Sequence, residues 1–170
     1  MGTRSDIIVQ RQDGKYARIY CHWDGYIDHN GKILYAHYNS QELAEKLTQL
    51  GDLSVLAPRA NKPKGHTFDT PKKGYCIAYG RDRGEKDVDA TVVDTLAEAW
   101  PEQDTWTEFT YVWSRELGGK DFENGAWWVG DPDEGSQTLK LLAEVIAGVA
   151  VIKTAIKVPF LGASKKVQRT

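Results

Sequence analysis

Asp13-Gly14 lies between Ser5 to Arg11, with its Ile7-Ile8-Val9 run, and the stretch Tyr16 to Trp23, and this arrangement commits the start of the chain to an antiparallel hairpin. A two-residue hairpin turn needs positive φ, which glycine adopts without steric penalty. Side chains alternate along a strand, so Ala17, Ile19, Cys21 and Trp23 fall on one face of the second strand. Tyr16, Arg18, Tyr20 and His22 fall on the other. The first set reads as core. The second stacks, donates hydrogen bonds and carries charge, so it reads as a candidate site.

Beyond the hairpin, Asp28-His29-Asn30-Gly31 reads as a turn and Lys32 to Tyr38 as a short helix. Asn39 followed by Glu42 has capping-box spacing and opens a helix over Ser40 to Leu50, with Leu43, Leu47 and Leu50 on one face and Gly51 as its stop. Pro58, Pro63, Pro71 and Gly65 make Ala57 to Lys73 a long loop. Gly74 to Gly80 reads as a central strand, Thr91 to Val93 as another, and Leu96 to Trp100 as a short helix stopped by Pro101. Thr105 to Trp113 alternates, with Phe109, Tyr111 and Trp113 on one side and Trp106, Glu108, Thr110 and Val112 on the other. Ala126 to Val129 is a short strand ending at Gly130.

Near the C-terminus, Leu142, Val145, Val149, Ile152 and Ile156 recur at spacings of three and four. That pattern predicts a long apolar helix after a Ser136 cap, docked on its own sheet or on a second copy of the chain. No strand-helix-strand rhythm repeats. The expected class is therefore α+β: a mostly antiparallel sheet of about five strands, packed helices and the long apolar C-terminal helix. Residues 1–135 are expected to form one α+β domain, with 136–170 as the C-terminal helix and basic tail.

With 170 residues, 41% of them hydrophobic, the chain can bury a core without disulfides or metal. Cys21 and Cys76 make no disulfide framework, and no signal-peptide pattern precedes the first strand, so the cytoplasm is the expected compartment. A net charge of −2 argues against a general coat for nucleic acid, and a mean hydropathy of −0.53 against a polytopic membrane protein. The average hides layers. Residues 57–83 carry Arg59, Lys62, Lys64, Lys72, Lys73, Arg81 and Arg83 against Asp69 and Asp82, whereas residues 84–136 carry fourteen acids against three bases. Basic loops attract anions when they fold over a cleft; otherwise such layers are solvated faces that attract one another.

Motifs that would name a chemistry are missing. There is no Walker loop, Gly-x-Gly-x-x-Gly turn or Gly-x-Ser-x-Gly elbow, so no cofactor is expected. Cys21-His22-Trp23-Asp24, with His29 and His37 nearby, offers ligand atoms at spacings that match neither Cys-x-x-Cys nor His-Glu-x-x-His. Neighbours on a strand also point to opposite faces, which separates Cys21 from His22 both for a metal and for a nucleophile pair. Asp131 and Asp133 sit in a Pro-Gly loop, where turn chemistry accounts for them. Six tryptophans and eight tyrosines are more informative. Beside Arg4, Arg18, Arg81 and Arg83 they suit stacking on a base with guanidinium contacts to phosphate, a protein interface, or ordinary core packing.

Met1-Gly2-Thr3-Arg4-Ser5, Ile19-Tyr20-Cys21-His22-Trp23-Asp24-Gly25-Tyr26, Asn30-Gly31, His37-Tyr38, Leu50-Gly51-Asp52-Leu53-Ser54 and Tyr79-Gly80-Arg81-Asp82-Arg83-Gly84 resemble a family of small proteins encoded by bacteriophages and related mobile elements. The likeness covers roughly the first half and the Trp-rich strands. It implies a genomic setting and, by association, a counter-defence or host-takeover role.

The residues and the resemblance together give the expectation of a non-enzymatic binding protein in a bacterial host cell. Its expected site joins Arg4, Tyr20, His22, Trp23, Asp24, Tyr26, Tyr38, Arg81 and Arg83 around a nucleotide-like anionic ligand or a face of a host defence protein. One alternative is a metal-assisted or His/Asp-dependent phosphodiester hydrolase. Another is a virion or assembly protein that oligomerises through Leu142, Val145, Val149, Ile152 and Ile156.

Overall fold

The computed structural model describes residues 2–102, 106–130, 138–149 and 153–158. The predicted hairpin forms: β1 (Arg4–Gln10) pairs antiparallel with β2 (Tyr16–Cys21), and Gly14 adopts φ +85° at the turn. The remaining strands are β3 (Leu53–Val55), β4 (Ile77–Ala78), β5 (Thr91–Val93), β6 (Thr107–Ser114), β7 (Ala126–Gly130), β8 (Thr138–Leu141) and β9 (Ala155–Lys157). The helices are α1 (Lys32–His37), α2 (Gln41–Thr48), α3 (Tyr79–Arg83), α4 (Leu96–Ala99) and α5 (Leu142–Ala147).

Among the described residues all nine strands join one sheet in the order β4-β3-β2-β1-β6-β7-β8-β9, with β5 also alongside β2. The sheet is mixed, which corrects the expectation of a mostly antiparallel sheet of about five strands. β1 runs parallel to β6, and β2 parallel to β3. The β1–β6 pairing joins segments about a hundred residues apart, Ile7 opposite Tyr111 and Val9 opposite Trp113. Turn chemistry reports only sequential neighbours, so such a pairing leaves no local trace.

Among the described residues the expected long apolar C-terminal helix does not form. Its place is taken by β8, the six residues of α5 and β9, and α5 stops where Gly148 turns left-handed at φ +68°. Over so short an apolar run, three-to-four spacing and strand alternation select overlapping residues. Leu139 and Ile156 lie opposite one another on β8 and β9, and Leu142 is buried in the core. Val145 packs against that core, Val149 is exposed, and Ser136 and Ile152 lie outside the described residues. Because β8 and β9 extend the sheet that β1 begins, the described part of 136–158 is continuous with the rest of the fold and is not an appended helix.

Smaller differences have local causes. Within Gly74 to Gly80 only Ile77–Ala78 is strand, at the sheet's edge, and Tyr79 already begins α3. The helix expected from an Asn39 cap is capped instead by Ser40, whose hydroxyl accepts the Leu43 N–H at 3.2 Å.

Both faces of the sheet are covered. On one, Ile7, Val9, Ile19, Cys21, Tyr111, Trp113 and Trp127 pack under Leu34 and Tyr38 and, from α2, Ala44 and Leu47. On the other, Ile8, Tyr16, Val112, Trp128 and Leu139 meet Leu96 and Ala99 of α4. Gly125, at φ +101°, admits the Trp113 ring, because a Cβ there would sit 2.2 Å from it. The second core ends partway along β1 and β2. Past Ile8 and Tyr16 the same face turns polar.

Candidate functional site

That polar remainder is the floor of a cleft of about 1120 Å³. Strand alternation places Arg4 and Asp6 of β1 beside Arg18 and Tyr20 of β2 on the face that Ile8 and Tyr16 share. The walls are Thr91 and Val93 of β5, Asp52, Asp87 and Asp89 on one side, and Glu98, Pro101, Glu102, Trp106 and Thr107 on the other. Six carboxylates thus face two guanidiniums. One of those is committed: Arg18 donates through Nη1 to the Ala99 carbonyl at 2.8 Å, tying β2 to α4.

Asp52 accepts the Tyr20 N–H at 2.9 Å where β2 would otherwise leave it unpaired. Burial raises its carboxyl pKa, more strongly than that N–H and the Arg18 charge lower it. Asp6 accepts from the Thr107 hydroxyl at 2.8 Å. Arg4 lies over the Trp106 ring, 5.6 Å from its centroid, and Trp106 is 74% exposed at the rim. Apart from the contact with Arg4, the ring's hydrophobic surface is open to solvent.

The expected site residues divide into three groups. Arg4 and Tyr20 line the cleft, and His22 and Trp23 continue from it: the Tyr20 hydroxyl and His22 Nδ1 are 2.8 Å apart, and the His22 ring meets Trp23 edge-on at 4.8 Å. Burial raises the Tyr20 phenol pKa, though nearby Arg4 pulls it down. Asp24 and Tyr26 lie beyond, at the entry to the π-helical turn Ile27–Gly31. Asp24 takes φ +56° and its carbonyl accepts the Asn30 N–H at 3.2 Å, while Tyr26 is half-exposed beside His29.

Tyr38, Arg81 and Arg83 are elsewhere. Tyr38 is buried in the core, its hydroxyl donating to the Ala57 carbonyl at 2.7 Å, so it is a packing residue. Arg81 is spent on the Ala60 and Cys76 carbonyls and both Asp82 oxygens, clamping the 57–76 loop onto α3. Arg83 lies over Phe68 and Tyr79, 4.2 Å and 4.9 Å from their centroids, and pairs with Glu85. The basic loop is therefore not draped over the cleft. It folds around His66, which is buried, accepts the Lys72 N–H on Nδ1 at 3.0 Å, and so presents its Nε2 proton to Asp82 at 3.3 Å. Burial alone would raise the Asp82 pKa; Arg81, the Ala78 N–H and His66 together outweigh it and hold the carboxyl below the usual range.

Sequence reasoning missed the acidic wall. Its signal was present in the fourteen acids of residues 84–136, but a linear count does not separate a solvated face from a cleft lining. Among the described residues no three His, Cys, Asp or Glu side chains gather closely enough to hold a metal ion. Both cysteines are free and buried, and burial pushes the Cys21 thiol up to about 12, far from a reactive thiolate. Among the described residues no helix is long and apolar enough to cross a membrane. Comparison with protein families, with curated proteins and with solved structures finds no match to this chain.

Proposed function

We propose that this chain is a non-enzymatic binding protein whose cleft takes a cationic segment of a partner protein. The observation that carries the reading is Trp106, largely bare at the rim of a cleft in which six carboxylates face two arginines. Such a rim offers a flat aromatic surface to a guanidinium or ammonium group, and the wall behind it supplies the opposite charge. The nucleotide-like anionic ligand is the weaker reading at this cleft. Arg18 is already engaged, Arg4 is stacked on Trp106, and a phosphate entering would face the carboxylates.

The resemblance to phage-encoded proteins makes a host protein in the bacterial cytoplasm the natural source of the segment, in keeping with a counter-defence or host-takeover role. The test is fluorescence anisotropy with labelled arginine-rich and glutamate-rich peptides and a labelled adenine nucleotide. The arginine-rich peptide is expected to bind saturably. Trp106→Ala and the pair Asp87→Asn with Asp89→Asn are each expected to weaken it about tenfold, the scale of one interface anchor. Saturable nucleotide binding without peptide binding would reverse the assignment of charge.

A further inference from the structure

We infer that the partner segment binds as an added β-strand along the outer edge of β5; this rests on the cleft being the binding site and specifies how it is occupied. β5 (Thr91–Val93) pairs with β2 through Tyr16, Ala17 and Arg18, and among the described residues no strand pairs with its other edge. An edge of this kind offers N–H and C=O groups to an incoming chain.

Hollows flank this edge on both faces. Thr91 and Val93 face the acid-lined cleft, together with their β2 partners' neighbour Tyr20. Val92, 43% exposed, faces the opposite way into a smaller hollow of about 370 Å³ that Ala17 and Ala90 line together with Thr48, Gln49, Arg11, Glu45 and Asp89. A strand laid against β5 continues the sheet, so its side chains alternate between these two hollows. The larger one selects cationic side chains, because Asp52, Asp87, Asp89, Glu98 and Glu102 line it. The smaller one selects short side chains by its size: Ala17, Ala90 and Val92 give it an apolar patch, while of its charged lining Arg11 pairs with Asp13 and Glu45 accepts from Gln12 and Gln41.

The occupant is therefore an extended segment that alternates Arg or Lys with Val, Ala or Thr. β5 carries no lysine or proline, two common guards of exposed edges. Its three residues allow only a short ladder, so most of the affinity comes from the alternating side chains and the ladder sets register and direction.

The test uses the full chain and a short labelled peptide alternating arginine with valine. Two further versions are N-methylated at every second residue, one on the arginines and one on the valines, so that each loses the N–H groups of a single edge. Strand addition predicts that the parent binds, that one methylated version binds as the parent does, and that the other loses about tenfold or more. Amide exchange at β5 should also slow on binding. If both methylated versions bind equally, whether retained or lost, strand addition is overturned while the cleft assignment stands. If the parent fails to bind while the arginine-rich peptide binds, strand addition falls alone; if neither binds, the cleft assignment falls with it.

Discussion

Asp82 holds the 57–83 region together through its charge. Its side chain is fully buried between His66 and Arg81 and also accepts the Ala78 N–H at 2.8 Å. Asp82→Asn leaves Arg81 facing a neutral amide, and an expected loss of roughly 3 kcal/mol at neutral pH would be read from urea denaturation. The pH dependence has a definite sign. The folded-state pKa lies below the ordinary value of 3.8, so the stabilisation is complete above that value and is lost as pH falls through the folded one. The gap between wild type and Asp82→Asn should accordingly narrow below about pH 4. Asp52 has the opposite sign, since its raised pKa means that the ionised form costs stability in the fold. Asp52→Asn keeps an acceptor for the Tyr20 N–H and should raise the melting temperature at pH 7 by roughly 1–3 °C, an advantage that disappears in acid once Asp52 is protonated. Tyr38→Phe removes the core hydrogen bond to the Ala57 carbonyl and the weaker contact with Cys76 Sγ, with an expected cost of about 1 kcal/mol in the same urea measurement and no change in peptide binding.

At the level of elements, short local signals were legible and long ones misled. Ser40 caps α2 with its own hydroxyl, and Ser40→Ala should lower stability by about 1 kcal/mol, measured as a shift in urea midpoint without a change in slope. The hairpin, α1, α2, α4, β5, β6 and β7 all lie close to where turn residues and alternation put them. β3 was not legible because its three residues form a strand only by pairing with β2 and β4. β8 and β9 were not legible because Leu142, Val145 and Ile156 satisfy a helical spacing that Gly148 interrupts. Gly148→Ala would test that stop. The left-handed residue disfavours a side chain there, so the variant should be destabilised by about 1 kcal/mol in the urea assay and should not gain helix by circular dichroism.

On the scale of the whole molecule, the cleft's charge is collected from segments far apart in the chain. Asp6 and Arg4 come from β1, Asp52 from the approach to β3, Asp87 and Asp89 from the lead into β5, and Glu98 and Glu102 from α4 and the segment after it. A site of this kind acts through its field as much as through contacts. Binding of the arginine-valine peptide should weaken about tenfold between low salt and 0.5 M salt, as expected for screening over a Debye length of about 10 Å at 0.1 M. Salt-independent binding would point to apolar docking instead.

Local chemistry was sufficient to place the hairpin, to send Ala17, Ile19 and Cys21 inward, and to set Arg18, Tyr20 and His22 on the opposite face, because turn conformation and strand alternation act between near neighbours; Trp23, expected in the core with the first set, lies past the end of β2 and is exposed. It could not foresee that Tyr16 on that same face would be sealed beneath α4 while Tyr20 stayed open to a cleft. Nor could it foresee that Arg81 would be consumed by Asp82 and two carbonyls. Those outcomes depend on which distant segments pack together, and the parallel pairing of β1 with β6 and the folding of the 57–76 loop onto α3 are chosen by burial summed over the whole sheet. Burial of that kind is a property of the assembled fold, and no single stretch of the chain carries it.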